Sequence, residues 1–317
     1  MKKIALLITT LLVLTGCAPQ DVKLVRLAAH DSFVMSEELI AEFKEETGYE
    51  LEILRLGDTG SLTNQLILTK NAPVADVAFG VDNTFIGKAE DEDVFDGSVS
   101  AIDYSDVCFN YDIAWFEAEG IAPPQSWRDL GDSDYRNLVV VTNPRFSSPG
   151  LAFLATTFAG FETNADVFAY WRSLRDNGVK VAGSWEDAYF SDFTRYGGTR
   201  PIVLSYASSP AAEVNEDGTA GTAALLNECF RQTEFAGVIT GAANKTGARE
   251  LISFLLSDSF QRSVPEAMYV YPAISSTEIP ESWARFALPA VSTIGEDLDI
   301  NSNRERWLRD WSDVFDN

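Results

Sequence analysis

The chain has 317 residues and a formal net charge of −24, from 24 basic and 48 acidic residues. That balance excludes a nucleic-acid-binding protein, because a phosphate backbone requires a basic surface. With 46% hydrophobic residues, the chain suits one large core or two lobes. Its scattered acidic residues predict a solvated surface, and the alternative is a weak preference for cationic ligands.

The first residues are typical of a bacterial export sequence. Lys2 and Lys3 precede an apolar run over 4–14, and Leu14-Thr15-Gly16-Cys17 matches a lipobox. The run is too short to span a bilayer as a helix. We therefore predict a signal peptide over 1–16, diacylglycerol on the sulfur of Cys17, and a tether over 17–22. The mature protein is then anchored on the outer face of the cytoplasmic membrane or in the periplasm.

The next segment alternates strands and helices. Strands are predicted over 23–29, 49–56 and 74–81, and a short helix over 61–70. A longer helix runs from an N-cap at Ser36 to Thr47, with Gly48 at its C′ position. This order is typical of an α/β lobe with a mainly parallel sheet.

A second alternating set follows and predicts a second α/β lobe. Strands are expected over 138–142, 179–182 and 201–206, and helices over 149–159, from an N-cap at Asn164, and over 185–193. A later apolar stripe is assigned to a helix that returns to the first lobe; its members are Ala248, Leu251, Ile252 and Leu255. Two lobes joined by more than one crossing leave a cleft, where small ligands usually bind.

Beyond Cys17, the chain contains two cysteines, Cys108 and Cys229. In an exported protein they can form a disulfide or remain two separate buried thiols. The residues alone leave both alternatives open.

Several short runs, in this order and spacing, resemble bacterial extracellular solute-binding proteins. They are Phe43-Lys44-Glu45-Glu46-Thr47-Gly48, 75–80 and 248–257. Within that superfamily, the chain is similar to the thiamine-binding proteins of thiamine ABC importers. The most specific pieces are His30-Asp31-Ser32-Phe33, Ser147-Ser148-Pro149-Gly150-Leu151 and Leu204-Ser205-Tyr206 with Ser208-Ser209-Pro210.

The resemblance implies a type II periplasmic-binding-protein fold. Lobe 1 would comprise 23–104 and 236–275, and lobe 2 would comprise 105–235 and 276–317. It implies a monomer without cofactor or metal, and not an enzyme, that delivers thiamine or its phosphates to an ABC permease and its ATPase. Residues 103–111 and 229–236 resemble the family's crossing segments, which run side by side and imply a Cys108–Cys229 disulfide.

The family's ligand contacts carry over to a defined set of positions in this chain. They are His30, Asp58, Thr59, Ser147, Ser148, Trp185, Tyr206, Ala207, Ser208 and Ser209. The chain departs from the family at two positions where tyrosines face the ligand, because His30 and Ala212 stand there.

The chemistry of these residues suits thiamine, which has a flat aminopyrimidine, a cationic thiazolium and a hydroxyethyl tail. Trp185 and Tyr206 offer aromatic faces to the rings, although a tryptophan also suits a core. Asp58 either accepts a hydrogen bond from the ligand amine or balances its charge, or caps the helix over 61–70.

Two further features concern the tail and the charge. Ser147 and Ser148 precede a helix start. There they either bind a ligand phosphate, which the free N–H groups and the helix dipole favour, or act as a plain N-cap. His30 stacks on the pyrimidine if neutral; a protonated His30 opposes the cation and weakens binding below about pH 6.5.

Three alternatives are weighed against thiamine. Ferric-iron carriers use a histidine after the first strand and two adjacent tyrosines, but Ala207 follows Tyr206 here. A secreted hydrolase lacks support, because the sequence has neither Gly-x-Ser-x-Gly nor His-Glu-x-x-His and its single histidine cannot build a multi-histidine metal site. Another organic cation, such as a polyamine, fits the same scaffold, since a few pocket residues decide the ligand.

Overall fold

The structure is a computed structural model that describes residues 23–316. The predicted signal peptide, the lipidation site Cys17 and the tether over 17–22 lie outside the described residues. The strands are β1 Leu24–Ala29, β2 Glu50–Arg55, β3 Val77–Asp82, β4 Ser100–Asp112, β5 Val139–Thr142, β6 Lys180–Ala182, β7 Ile202–Tyr206, β8 Thr222–Ala224, β9 Phe230–Val238 and β10 Tyr271–Pro272. The α-helices are α1 Glu37–Thr47, α2 Thr59–Leu68, α3 Ile86–Asp91, α4 Ile113–Glu119, α5 Ser148–Gly160, α6 Asn164–Asp176, α7 Lys245–Leu255, α8 Asp258–Met268, α9 Glu281–Ala284 and α10 Ile300–Asp316.

The strands form one mixed sheet in the order β2-β1-β3-β9-β4-β7-β5-β6, with β8 and β10 also paired to β4. At one end, β1 is parallel to β2 and β3; at the other, β5 is parallel to β6 and β7. The long strands β4 and β9 lie antiparallel between these two ends. Two parallel α/β halves are therefore joined through a pair of central strands, called the crossing strands below. This is the α/β architecture that the alternating elements predict.

The β1–β3 half has its own apolar cluster under α1, α7 and α8. Leu27, Phe79, Leu251, Phe254 and Phe260 are all buried in it. Helix α7 packs on β1 and β9, so the apolar stripe over 248–255 returns to the first half as predicted.

The β5–β7 half is covered by α5, α6 and the C-terminal α10. Trp171 on α6 meets Trp311 on α10 edge to face, with ring centroids 5.9 Å apart. Phe153 and Leu154 of α5 are buried against the same cluster. Aromatic residues dominate this packing and bury large apolar areas. Within residues 23–316, no helix combines the length and apolarity that a bilayer crossing needs.

Most of the local predictions are confirmed, with shifts of one to three residues at element ends. The Ser36 hydroxyl accepts the N–H of Leu39 at 3.3 Å, and Gly48 adopts a left-handed φ of 72° after α1. The predicted cap at Asn164 is wrong by one residue: Thr163 has the extended backbone of a cap and accepts the N–H of Asp166. The helix expected over 185–193 is present over 185–192, and its residues Asp187–Asp192 form a π-helical turn.

The two cysteines form the disulfide that the family resemblance implies. Cys108 lies on β4 and Cys229 immediately precedes β9, next to the register pair Val107 and Phe230. Their Cα atoms are 5.0 Å apart, and both side chains are buried beside Ala207. The bond therefore fastens the crossing strands to each other.

Candidate ligand-binding site

A cavity of about 40 Å³ lies on the crossing strands, between the two halves of the sheet. This volume is below the range of most small-molecule sites, about 300–1,000 Å³. Six of the predicted ligand residues line it: His30, Asp58, Thr59, Ser148, Trp185 and Tyr206. The structure thus brings together residues from the ends of β1 and β7 and from the starts of α2 and α5.

The other predicted residues lie outside the cavity lining. Ser208 and Ser209 support the wall, because their hydroxyls bond to those of Ser105 and Ser205, each at 2.8 Å. Ala207 packs against the disulfide, and Ser147 is the buried N-cap residue of α5. Ala212, one of the two positions where the family has a tyrosine, is also absent from the lining.

Seven lining residues were missed by the sequence analysis. They are Ser32, Asp103, Ser105, Gln232, Glu234, Met268 and Val270. Asp103 and Ser105 alternate along β4, and Gln232 and Glu234 alternate along β9, so each pair points to one face of its strand. This period-two polar pattern in the predicted crossing segments was the signal that would have found four of the seven.

Asp58 has two structural roles at the edge of the cavity. One oxygen accepts the N–H of Thr59 at 2.7 Å and caps α2, and the other accepts the N–H of Trp185 at 2.9 Å. Burial raises the pKa of the Asp58 carboxyl, and these N–H donors oppose that rise. The helix cap is therefore real, and the same carboxyl also joins the first half to the second.

Trp185 and Tyr206 form an aromatic wall. The indole N–H of Trp185 donates to Ser205 at 3.0 Å, and its ring stacks on Tyr189 with centroids 4.9 Å apart. The ring centroid of Tyr206 lies 6.1 Å from that of Trp185, and the two rings are tilted against each other. Burial, followed by the charges of Glu234 and Asp58, raises the pKa of the Tyr206 phenol. The wall is thus fixed by the packing behind it, and the Tyr206 hydroxyl stays protonated.

His30 sits at the end of β1 in contact with Glu234. Its Nε2 lies 3.1 Å from Glu234 Oε2, and its ring packs beside Phe79. Burial acts to lower the pKa of His30, but Glu234, with the charges of Asp58 and Asp82, outweighs it and the net pKa is raised. Gly80 gives the ring its space, because a Cβ there would lie 2.1 Å from His30 Cδ2. Glu234 thus supplies the counter-charge for a protonated His30.

Three buried carboxyls form a row across the sheet. Glu234 on β9 is the register partner of Asp82 on β3 and of Asp103 on β4, so all three point to the same face. Burial, with the charge of Glu234 adding to it, raises the pKa of Asp82 to about 7 and raises that of Asp103 as well. The lining contains no lysine or arginine. This lining therefore favours a positively charged organic ligand.

No grouping of histidine, cysteine and acidic residues suited to a metal ion occurs within residues 23–316. The iron alternative also lacks the second tyrosine beside Tyr206. The acidic lining and the aromatic wall therefore suit an organic cation better than a metal ion.

The fold and the cavity define a binding protein with two α/β halves that hold a small ligand between them. The chain belongs to the bacterial extracellular solute-binding proteins, since the sequence profile of that family matches residues 74–289.

Proteins similar to this chain over most of its length carry the name thiamine-binding periplasmic protein. The one from Brucella suis biovar 1 (strain 1330) is 26% identical, with 98% of each chain covered. The one from Escherichia coli (strain K12) is 26% identical, with 85% of each covered.

Solved structures share the fold. A periplasmic thiamin binding protein superposes with a TM-score of 0.80 at 23% identity, covering 92% of this chain and 96% of its own. The apo ferric ion-binding protein A of Pasteurella haemolytica gives 0.72 at 15% identity, with 92% and 98% covered. The fold alone therefore does not select the ligand, and its relatives are solute-binding proteins rather than enzymes.

Proposed function

We propose that this protein captures thiamine in its acidic cavity and delivers it to an ABC permease driven by a cytoplasmic ATPase. The observation that carries the proposal is the cavity itself, in which an aromatic wall faces buried carboxyls without a lysine or arginine among them. Near-full-length similarity to thiamine-binding periplasmic proteins supports thiamine as the cation.

The parts of thiamine have counterparts in the lining. The flat rings fit against Trp185 and Tyr206, where a cation over an aromatic face gains about 0.5–2 kcal/mol. Ser148, the first residue of α5, offers a hydroxyl and a helix start to the hydroxyethyl tail. Both oxygens of Asp58 already accept backbone N–H groups. Asp58 therefore acts on the ligand through its negative charge, which balances the cation, and not through a hydrogen bond.

Free thiamine is the preferred form within this proposal. A phosphate at Ser148 would enter a lining that contains Asp58, Asp103 and Glu234 and whose one basic side chain is His30. The helix start offsets that repulsion in part. We expect affinity to fall from thiamine to its monophosphate and then to its diphosphate.

Ligand capture involves closure of two lobes about the crossing strands, lobe 1 with 23–104 and 236–275 and lobe 2 with 105–235 and 276–317. Two hydrogen bonds across the cleft support this: Trp185 N–H to Asp58, and Gly60 N–H to the Phe146 carbonyl, both at 2.9 Å. Hinge closure around a ligand is common in periplasmic binding proteins. Solution scattering should give a smaller radius of gyration with thiamine than without it.

The mature protein is exported as a monomer, anchored by lipid on Cys17. We expect the unsubstituted protein in the membrane fraction of expressing bacteria and a Cys17→Ala variant in the soluble fraction. Equal membrane association of the two would contradict the anchor.

A polyamine is the second candidate, favoured by the lining carboxyls of Asp58, Asp103 and Glu234. Thermal unfolding with thiamine, its phosphates and spermidine separates the two, because a ligand at about 100 times its Kd adds about 2.7 kcal/mol to the stability. Stabilisation by thiamine supports the proposal. Stabilisation by spermidine alone would move the assignment to polyamines, and no stabilisation by any of them would end both.

A further inference from the structure

Four polar side chains on the crossing strands form the floor of the cavity. Asp103 faces Glu234 across the β4–β9 ladder, and Ser105 faces Gln232 two residues further on. Because register partners and residues two apart share one face of a sheet, the four point the same way, and all four line the cavity. The floor is therefore polar and built on the most central strands of the fold.

Three acceptor atoms on this floor have no donor. They are the two carboxyl oxygens of Asp103 and the Oε1 of Gln232. Within residues 23–316, no N–H or hydroxyl group donates a hydrogen bond to any of them. The two residues are 0% and 2% exposed, so water does not cover them freely. Buried acceptors left unpaired are costly and rare in native proteins. The floor therefore lacks a donor that a ligand can supply.

The existing contacts on the floor fix the acceptors in place. The Gln232 amide N–H groups point to Tyr206 Oη at 3.4 Å and to Glu234 Oε1 at 3.5 Å, which turns Oε1 of Gln232 away from both. His30 holds the other Glu234 oxygen at 3.1 Å. Burial and the facing Glu234 favour the protonated form of Asp103 by raising its pKa. Such a pair, sharing one proton, still presents oxygens to an incoming donor.

We propose that Asp103, Gln232 and Glu234 form a donor-binding subsite that takes a nitrogen bearing at least two N–H groups, which in thiamine is the exocyclic amine of the aminopyrimidine. This inference rests on the proposed function and places the amine on the floor rather than at Asp58, whose two oxygens are already used by Thr59 and Trp185. One N–H donates to Gln232 Oε1 and the other to the Asp103 oxygen that does not share the proton with Glu234. The ring then lies beside Tyr206.

The subsite selects by hydrogen-bond polarity. Oxythiamine has an oxo group where thiamine has the amine, so it presents an acceptor to Gln232 Oε1 and to the Asp103 oxygen, neither of which carries a proton to donate. A site built to hydrogen-bond one group rejects an analogue that lacks it, because its buried polar atoms then stay unpaired. The unsubstituted protein should bind thiamine about tenfold or more tighter than oxythiamine.

Calorimetric titration of both ligands into the unsubstituted protein and three variants tests the subsite. Gln232→Met removes the Oε1 acceptor at similar size, and Glu234→Gln adds an N–H donor in place of the carboxylate. Either change should bring the two affinities within about threefold of each other, mainly by weakening thiamine. Glu117→Gln, an exposed position on α4, is the matched control and should keep the full ratio.

The outcomes separate the subsite from the proposed function. If the unsubstituted protein binds thiamine and both floor variants keep its preference over oxythiamine, the subsite is refuted and the function stands. If the unsubstituted protein binds neither ligand, the function fails and the subsite fails with it. Thermal unfolding of the empty variants checks folding, and the two floor variants provide independent tests, since each removes a different contact.

Discussion

Replacement of Asp82 by asparagine should change how the stability of the protein depends on pH. The Asp82 carboxyl is fully buried, and its Oδ1 accepts the backbone N–H and the hydroxyl of Thr84 at 2.9 and 2.6 Å. Burial, with the charge of Glu234 adding to it, raises the pKa from 3.8 to about 7 against the opposing donors of Thr84 and Ser148. The folded protein therefore keeps a proton that the unfolded chain has lost.

Proton linkage gives the sign and the size of the change in the free energy of unfolding with pH. Between about pH 4 and 7 the folded state binds more protons at this site than the unfolded state, so the free energy of unfolding falls as pH rises. Each pH unit in this window is worth about 1.36 kcal/mol, and the whole window about 4 kcal/mol. Above pH 7 both states are ionised, and the cost of a buried charge at Asp82 is complete.

Chemical denaturation at pH 5, 6, 7 and 8 measures this contribution. Relative to the unsubstituted protein, Asp82→Asn should gain about 2–3 kcal/mol between pH 5 and 7 and little more by pH 8. Asp297→Asn, at an exposed position, is the matched control and should follow the unsubstituted protein at every pH. A difference between Asp82→Asn and the unsubstituted protein that stays constant from pH 5 to 8 would refute the reasoning.

Three further substitutions probe the wall, the helix start and the crossing strands. Trp185→Ala should weaken the binding of thiamine and of its phosphates by a similar amount, about 1–3 kcal/mol in binding free energy. Unchanged affinities would make Trp185 a core residue only. Ser148→Ala should weaken the phosphorylated forms more than free thiamine, since charge-assisted bonds are stronger; equal losses would remove Ser148 from the tail site. The double variant Cys108→Ala with Cys229→Ala opens a cross-link between residues 121 apart. Its free energy of unfolding should fall by about 4–5 kcal/mol, and a loss under about 1 kcal/mol would reject the loop-closure account.

Local features of the fold were predictable because they depend on neighbouring residues. Ser36 and Gly48 mark the two ends of α1 through a hydroxyl cap and a left-handed backbone, and both act within one helical turn. The error at Asn164 has the same local origin, since Thr163 and Asn164 are both good caps and the chain enters α6 in extended form at Thr163.

The cavity floor was missed because its pairs are distant in sequence. His30 and Glu234 are 204 residues apart, and Asp103 meets Glu234 only through the register of β4 and β9. Alternation along each crossing segment shows which residues share a face, but not the register that sets Asp103 opposite Glu234. Asp58 illustrates the same limit: its helix cap is local, whereas its bond to Trp185 joins residues 127 apart.

The central claim is that the cavity between the two halves binds thiamine. Calorimetric titration of thiamine into the purified mature protein tests it most directly. We expect one site per chain and a Kd of about 1 µM or tighter, equivalent to about −8 kcal/mol or better. The absence of any binding heat at several temperatures, together with binding of a different organic cation at one site per chain, would contradict the account.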